Sequence, residues 1–565
     1  MTEPGAPGAR RSPPVSGLAR FRPVLFVLVA VGASIAVVAP PVGAAGGPKG
    51  GAGAPPLTFA EAQAQGKKVD WGPNCDTATG KLAVPSGYAP PCVEPWKGGD
   101  NGGATAPGVT KDTITVALYQ AQPDLLQQAF FQNSGSDESL GAERDTTQQY
   151  IDYFSAHYEL YGRKVKLVTV KASGAPDDDV AAKADAIKVA TEVHAFASFG
   201  GPGQTTAYAD ELAARGVLCV GDCVIAEPQS FLNSHAPYVW PTIASPEQAG
   251  EHWAAFVGKQ LARRKAAHAG SPSLQATTRA FGVVHYDDTA GTFAKSVASF
   301  ERQLATYHVK PKVTVPYALD LSTAQQDART VIARLKSSGV TSVILAGDPV
   351  FPTFLTKEAT AQHYFPEWVV LGYAFTDTAV FGRQYDQQQW AHAFGVSLLP
   401  ARTIDAIDEL GNLITWQTGS PPKAKTFREL VQAPLVFFTG VHLAGPRLSA
   451  KTFRAGLFRF PSAATTTPTR LHLSWGRHQI WKGVDLTGGD DATVIWWDPN
   501  ATGQDEVGRD GKGLYRYADN GKRYLPGQWP NTPIALFDPA TASGVLTKLA
   551  PADRPPSYPT PASTG

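Results

Sequence analysis

From Thr113 onward, short runs of apolar and β-branched residues alternate with stretches whose apolar positions recur every three or four residues. ITVALY (114–119), KVKLVTV (164–170), AFASF (195–199) and VLCV (217–220) read as strands. Between them Tyr150, Phe154 and Tyr158 recur at i, i+4 and i+8, and Val180, Ala184, Ile187 and Thr191 mark a second helix face. After PYVWPTIASPEQAG the theme starts again with AFGVVHY (280–286), KVTVPYA (312–318), SVILAG (342–347) and WVVLGYA (368–374). Phe293, Val297, Phe300 and Leu304 carry the stripe of one of its helices. Strands alternating with helices build parallel sheets, and two such sets in series predict an α/β protein of two doubly wound, Rossmann-like lobes. The first lobe is expected over 108–241 and the second over 242–393.

The flanks follow other patterns. PLVFFTGVHLAG and LSAKTFRAGLF suggest that residues 394–480 cross back to the first lobe, and ATVIWWDP opens a β-rich finishing piece over 481–550. Residues 551–565, PADRPPSYPTPASTG, have the composition of a disordered tail. At the other end Arg10, Arg11, Arg20 and Arg22 precede the apolar run Val24 to Ala39 and small residues at 42–44. This reads as a signal peptide over 1–45, short for a spanning helix and closed by Pro40-Pro41, with an uncleaved anchor as the alternative.

Export changes the meaning of the four cysteines, since thiols outside the cytoplasm tend to pair. Cys75 and Cys92 lie in a Gly/Pro-rich extension (46–107), where a disulfide closing the loop stabilises by about 3 kcal/mol. Cys219 and Cys223 flank Val220-Gly221-Asp222 and read equally well as a local bridge or as small buried residues. With 50 Lys+Arg against 49 Asp+Glu, and no long basic run beyond the N-terminus, nucleic acid is not expected as a partner.

The search for chemistry finds no G-x-S-x-G, H-E-x-x-H or P-loop pattern, and the twelve histidines show no metal spacing. No catalytic residue, metal or cofactor is expected. The stretch SFGGPGQTTAYADELAARGVLCVGD comes near a dinucleotide fingerprint, but Thr206 stands where the third glycine should be. Asp177-Asp178-Asp179 suits the N-terminus of the helix that follows. In open α/β sheets ligands bind beyond the carboxyl ends of the strands. The loops there contain Gln120, Gly200 to Thr206, Gly221 to Cys223, His285 to Thr292, Asp348 to Val350 and Tyr373 to Asp377.

In order of elements the chain resembles the type I periplasmic binding proteins, specifically the branched-chain amino acid (Leu/Ile/Val-binding) solute receptors of ABC transporters. GVTKDTITVALY, FGGPGQTTAYADELAARGVLCVGD, PYVWPTIASPEQAG, HYDDTAGTFAKS and ILAGDPVFPTFLTKEA carry the resemblance, which runs from Gly108 to Phe460. It implies two lobes joined by crossover strands that close on a small-molecule ligand and dock on a membrane permease. A sensory binding protein of the same fold and an exported enzyme on a Rossmann-like scaffold are the alternatives. The expected ligand-binding residues are Gln120, Gly203, Gln204, Thr205, Thr206, Asp222 and Cys223 from the first lobe, with Tyr286, Asp288, Asp348, Tyr373 and Phe375 from the second. The family's ammonium-binding acid has no clear counterpart, because Asp377 arrives late and Asp348 belongs to another loop. A neutral, amide-bearing or partly aromatic solute is therefore expected.

Overall fold

The computed structural model describes residues 54–122, 139–221, 223–372 and 374–561, so the expected signal peptide lies outside the described residues. The described chain opens with helix α1 (Phe59–Ala64), whose first turn is closed by a capping box between Thr58 and Glu61. A two-residue hairpin, β1 (Cys75–Asp76) and β2 (Lys81–Leu82), follows. Cys75 and Cys92 are joined, with Cα atoms 5.7 Å apart, so the expected staple closes this Gly/Pro-rich cap. Leu82, Val84, Tyr88 and Val93 bury their side chains in the core of the first lobe, which is what the small cap uses in place of a core of its own.

The first sheet contains β3 (Thr113–Gln120), β4 (Lys164–Lys171), β5 (Ala197–Phe199), β6 (Leu218–Val220) and β7 (Val239–Trp240) in the order β4-β3-β5-β6-β7. All its pairings are parallel. The central strands β5 and β6 are buried throughout, while the edge strand β4 keeps Lys164, Lys166 and Lys171 in water and so discourages further pairing. Helices α2 (Leu140–His157), α3 (Asp179–Thr191), α4 (Ala207–Ala214) and α5 (Gln229–Ser234) connect the strands. Tyr150, Phe154 and Tyr158 face the core as their spacing predicts.

The stripe read for α3 is displaced. Ala182, Asp185, Ala186 and Val189 are its buried residues, whereas Val180 is 81% exposed. The polar member of that face made it illegible. The Asp185 carboxylate accepts from Tyr119 Oη and from the Ser173 N–H, both at 2.9 Å, so a charged residue occupies a core position.

The second lobe opens with α6 (Pro246–Phe256), capped by Ser245 and Gln248 and prolonged by a π-helical turn, Val257–Leu261. Strand β8 (Phe281–Tyr286), α7 (Thr292–Ala305), β9 (Val313–Tyr317), α8 (Ala324–Ser337), β10 (Ser342–Ala346), α9 (Phe351–Ala361), β11 (Glu367–Val370) and β12 (Ala393–Ser397) continue it. The chain then returns to the first lobe with α10 (Glu409–Thr418), α11 (Gln432–Ala444) and α12 (Ala450–Leu457). Phe437 packs edge-on to Phe199, and Phe438 stacks on Phe154 with ring centres 5.2 Å apart.

Residues 492–524, read from sequence within a β-rich finishing piece, contribute strands to the second sheet. Strand β13 (Ala492–Gln504) pairs antiparallel with β12, and β14 (Asp510–Tyr517) and β15 (Arg523–Tyr524) pair antiparallel with β13. The full order is β14-β13-β12-β11-β10-β8-β9, with β15 beside β13. The expected disordered tail is corrected as far as residue 561. Tyr558 Oη donates to Asp76 at 2.9 Å, its carbonyl accepts from Trp416 Nε1, and Arg470 holds the Asp553 carbonyl. These bonds to the cap and the first lobe fix a segment whose composition alone offers no core.

The chain crosses between the lobes a fourth time between Leu546, packed on the second lobe's core, and Tyr558, bonded to Trp416, and its earlier crossovers are at 241–245, 398–408 and 458–491. A buried polar network ties them together. Gln248 Nε2 donates to Asp485 at 2.8 Å, the Asp490 carboxylate accepts from His472, Ser474 and Trp481, and Arg523 donates to the carbonyls of Leu398 and Leu399.

Candidate functional site

The carboxyl ends of the two sheets supply the facing loops. Two contacts cross between the lobes there: Thr289 Oγ1 donates to Asp177 Oδ2 at 3.4 Å, and Lys295 Nζ lies 3.4 Å from Glu227. Asp177 follows β4 and Thr289 follows β8, so strand-end loops of both sheets meet. Burial holds the Glu227 carboxyl above the usual range, and the Lys295 charge opposes that shift.

In the first lobe, Gly200 and Gly203 have φ of +70° and +83°, the left-handed turns that their loop requires. Gly201 is needed for close approach, because a Cβ there would sit 2.8 Å from the Cys223 Cα. The Gly203 N–H donates to the Cys223 carbonyl, and the Gly203 carbonyl accepts from the Ile225 N–H. The expected cradle thus directs this peptide unit to its neighbouring loop. Thr205 is buried, accepts from the Ala207 N–H at 3.1 Å in a turn just before α4, and donates in a short bond to Asp179. Thr206 and Gln204 are half-buried, and Thr206 makes no side-chain cap. Gln120 Nε2 donates to the Leu140 carbonyl at 2.6 Å and to Glu143, which ties β3 to the start of α2. Cys223 is fully buried at disulfide distance from Cys219. Asp222 lies outside the described residues.

In the second lobe the two acids proposed for ligand contact cap helices. The Asp288 carboxylate accepts from the N–H groups of Thr292 and Phe293, each at 2.9 Å. Asp348 is buried and accepts from Val350 N–H, Phe351 N–H and Tyr317 Oη. Burial raises its pKa, and these three donors act against that rise. Asp377 accepts from Ser397 Oγ at 2.5 Å, and burial pushes its carboxyl up to about 6. Tyr286 is half-buried beside Phe293 and stacks with Tyr317, while Phe375 is 42% exposed with φ of +64°. His285 Nδ1–H donates to the Tyr286 carbonyl, an ordinary strand-end role. Tyr373 lies outside the described residues.

Sequence reasoning missed another set. The exposed large apolar side chains among the described residues are Leu140 and Val180, in the first turns of α2 and α3, and Leu321, Phe375 and Leu399, in the loops after β9, β11 and β12. Isolated apolar residues in loops carry no periodic signal. No group of three or more metal-ligating side chains occurs among the described residues, and no helix there is long and apolar enough to cross a membrane.

Residues 130–394 match the family model described as periplasmic binding protein. No curated protein matches the chain. Among solved structures, a type 1 periplasmic binding protein from Bordetella pertussis Tohama I is similar at 13% identity and a TM-score of 0.48, over 68% of this chain and 97% of that one. The branched-chain amino acid transporter substrate-binding protein LivJ from Streptococcus pneumoniae, in complex with isoleucine, is similar at 12% identity and a TM-score of 0.46, over 72% and 100%. An ABC-transporter solute-binding protein from R. palustris, in complex with 4-hydroxybenzoate, is similar at 14% identity and a TM-score of 0.48, over 74% and 98%. The family match, which spans strands β4 to β11, makes this segment similar to periplasmic binding proteins, and the chain has an α/β fold of two sheets whose strands there pair in parallel.

Proposed function

We propose that the protein is an extracytoplasmic solute receptor that captures a small molecule between its lobes and delivers it to the membrane permease of an ABC importer. The observation that carries this reading is the meeting of strand-end loops from two independently packed sheets inside the segment matched by the periplasmic binding protein model. Each lobe has its own buried core, so the lobes can move as bodies about the crossovers. The basic start and apolar run of the N-terminus support export. Gln204, Thr206, Tyr286 and Phe375 are predicted ligand contacts that are not fully buried, which supports the reading, and Asp222 and Tyr373 complete the proposed set.

The function is binding, not turnover. The test is native mass spectrometry of the protein secreted by its own route, followed by small-angle scattering with the released solute returned to the stripped protein. One solute per chain and a smaller radius of gyration on its return are expected. No bound solute, or an unchanged radius at saturation, would count against solute capture.

A further inference from the structure

We propose that the second lobe carries a binding site for a small anion bearing a phosphate ester, on the side of its sheet opposite the solute cleft. A surface cavity of about 440 Å³ lies there, bordered by Gly258, Lys259, Arg263, Arg264, Tyr307 and Asn531. That volume is in the range of small-molecule sites. Helix α6 runs away from the first crossover and ends in the π turn that contains Lys259. Tyr307 follows α7, on the way from the carboxyl end of β8 to the start of β9. The cavity therefore lies toward the amino ends of the strands, whereas the loops of the solute cleft follow their carboxyl ends.

Charge is the first observation. The whole chain is balanced, with 50 Lys+Arg against 49 Asp+Glu, but the segments that border the cavity are not. Residues 252–286, 302–319 and 525–537 contain eight lysines and arginines and no acid. Arg279 is neutralised by the buried Glu367, and no acid lines the cavity. Burial and the charge of Glu251 raise the Tyr307 pKa, so the hydroxyl stays a neutral donor, and Lys482 offsets part of the Glu251 field.

Backbone geometry is the second, independent observation. Lys259 Nζ donates to the Trp529 carbonyl at 2.8 Å, and Arg264 donates to the carbonyls of Gln260 and Asn531 at 3.1 and 3.0 Å. Carbonyls hold both side chains without neutralising them, and each keeps N–H groups to spare. Arg263 is exposed and has no ion-pair or hydrogen-bond partner among the described residues. Its φ is +62°, uncommon for a residue with a Cβ. Successive helical residues point to different sides, so this left-handed turn lets Arg263 and Arg264 border one cavity. Gly258 admits the tyrosine, since a Cβ there would lie 2.2 Å from the Tyr307 ring. A π turn followed at once by a left-handed arginine is the kind of irregularity that clusters at functional sites. Three cations set the ligand's class. A carboxylate brings one charge and two oxygens, whereas a phosphomonoester brings roughly two charges and three acceptor oxygens, a match for two guanidinium forks and an ammonium.

The test uses the full chain at low ionic strength, where screening is weakest. In calorimetry, glycerol 3-phosphate should bind at one site per chain, about tenfold or more tightly than acetate. Arg263→Gln/Arg264→Gln should weaken it about tenfold or more, the loss that one charge-assisted hydrogen bond allows. Arg263→Gln alone, which breaks no contact of the folded chain, should weaken it in the same direction. Lys164→Gln/Lys166→Gln removes the same charge from the exposed edge strand β4 and should change binding less than about twofold. A second arm floats the protein with vesicles of phosphatidylglycerol or of phosphatidylcholine. Flotation with phosphatidylglycerol alone, lost in the double arginine variant, supports the site with a lipid headgroup as its ester. Calorimetric binding without flotation supports it with a free ester. Neither signal, or equal weakening in the arginine and lysine variants, overturns the proposal. Binding that survives in both arginine variants, as capture in the solute cleft would, also overturns it.

Discussion

Arg523 and Asp491 form a 3.0 Å ion pair in which neither side chain has solvent exposure, and the same guanidinium donates to the Leu398 and Leu399 carbonyls. One cation thus links β15 to two of the crossovers between lobes. Replacing it by a shape-similar apolar residue, Arg523→Met, would leave a buried carboxylate without its partner. A loss of about 3–5 kcal/mol is expected by urea denaturation. The double variant Arg523→Met/Asp491→Leu should recover much of that loss, because the unpaired charge disappears. A double variant no more stable than the single one would show that the carbonyl bonds, not the ion pair, dominate.

The same network sets a pH dependence. Burial, with the neighbouring Asp490 charge, pushes the Asp485 carboxyl up to about 7, whereas an unfolded chain ionises it near its ordinary 3.8. A raised folded pKa means that its stabilising contribution is complete below the unfolded value and is lost as pH rises through about 7. His252 and His442 act in the opposite direction, because burial lowers both to about 4 and they stabilise above their ordinary 6.5. Asp485 should therefore lower the thermal midpoint progressively from about pH 4 to 7, against the rise that the two histidines give, and Asp485→Asn should flatten that decline. Asp377→Asn should affect only its lower part, since that carboxyl titrates near 6. An identical slope in Asp485→Asn would assign the decline to other groups.

Much of this architecture is legible in the chain because a single physical signal specifies each part. The β-branched runs predict all five principal strands of the second lobe's parallel stretch except β12, whose AFGVS is short and contains Gly395. That glycine is forced by crowding, since a Cβ there would lie 1.8 Å from the Val370 carbonyl oxygen. The candidate site is less legible. Acids at strand ends look alike whether they bind a ligand or a helix N-terminus, and only the geometry of Asp288 and Asp348 shows the latter. The long return through α10 to α12 and back to β13 depends on pairing partners a hundred residues away, which no local pattern carries.

The cap should depend on its staple. Cys75 and Cys92 close a loop of sequence separation 17 around a hairpin with only two paired residues per strand. Replacing both by serine should cost about 2–5 kcal/mol in resistance of the cap to opening. Limited proteolysis is expected to cut first within 66–99, with the lobes intact. Equal resistance of the variant would mean that burial of Leu82, Val84 and Val93 suffices alone.

The returning helices cross closely. A Cβ on Gly456 of α12 would lie 2.6 Å from the Gly440 carbonyl oxygen of α11, and one on Gly440 would meet the Phe453 ring at 2.3 Å. Because backbone cannot yield as a side-chain tip can, Gly456→Ala should separate the helices and destabilise the first lobe by about 1–3 kcal/mol. Chemical denaturation of the variant measures this directly, and a neutral substitution would show that α12 can shift without loss.

Lys295 and Glu227 give the last prediction, about the contact between the lobes. Glu227 belongs to the loop after Cys223, whose Ala226 packs in the second lobe's core, and Lys295 lies on α7 of that lobe. The carboxylate is buried, but the Lys295 side chain is 40% exposed, so solvent screens the pair and its worth is on the order of 0–1 kcal/mol. Lys295→Met should therefore leave global stability almost unchanged while raising the Glu227 pKa further, because desolvation then acts with less opposition. An infrared or NMR titration of the Glu227 carboxyl should show that rise. At neutral pH, scattering should show at most an about fivefold shift toward open lobes, the factor that 1 kcal/mol allows. Moderate salt should reproduce part of this shift in the unmodified protein, because the cation is accessible to screening. An unmoved Glu227 titration in Lys295→Met would mean that the ammonium does not act on this carboxyl in solution.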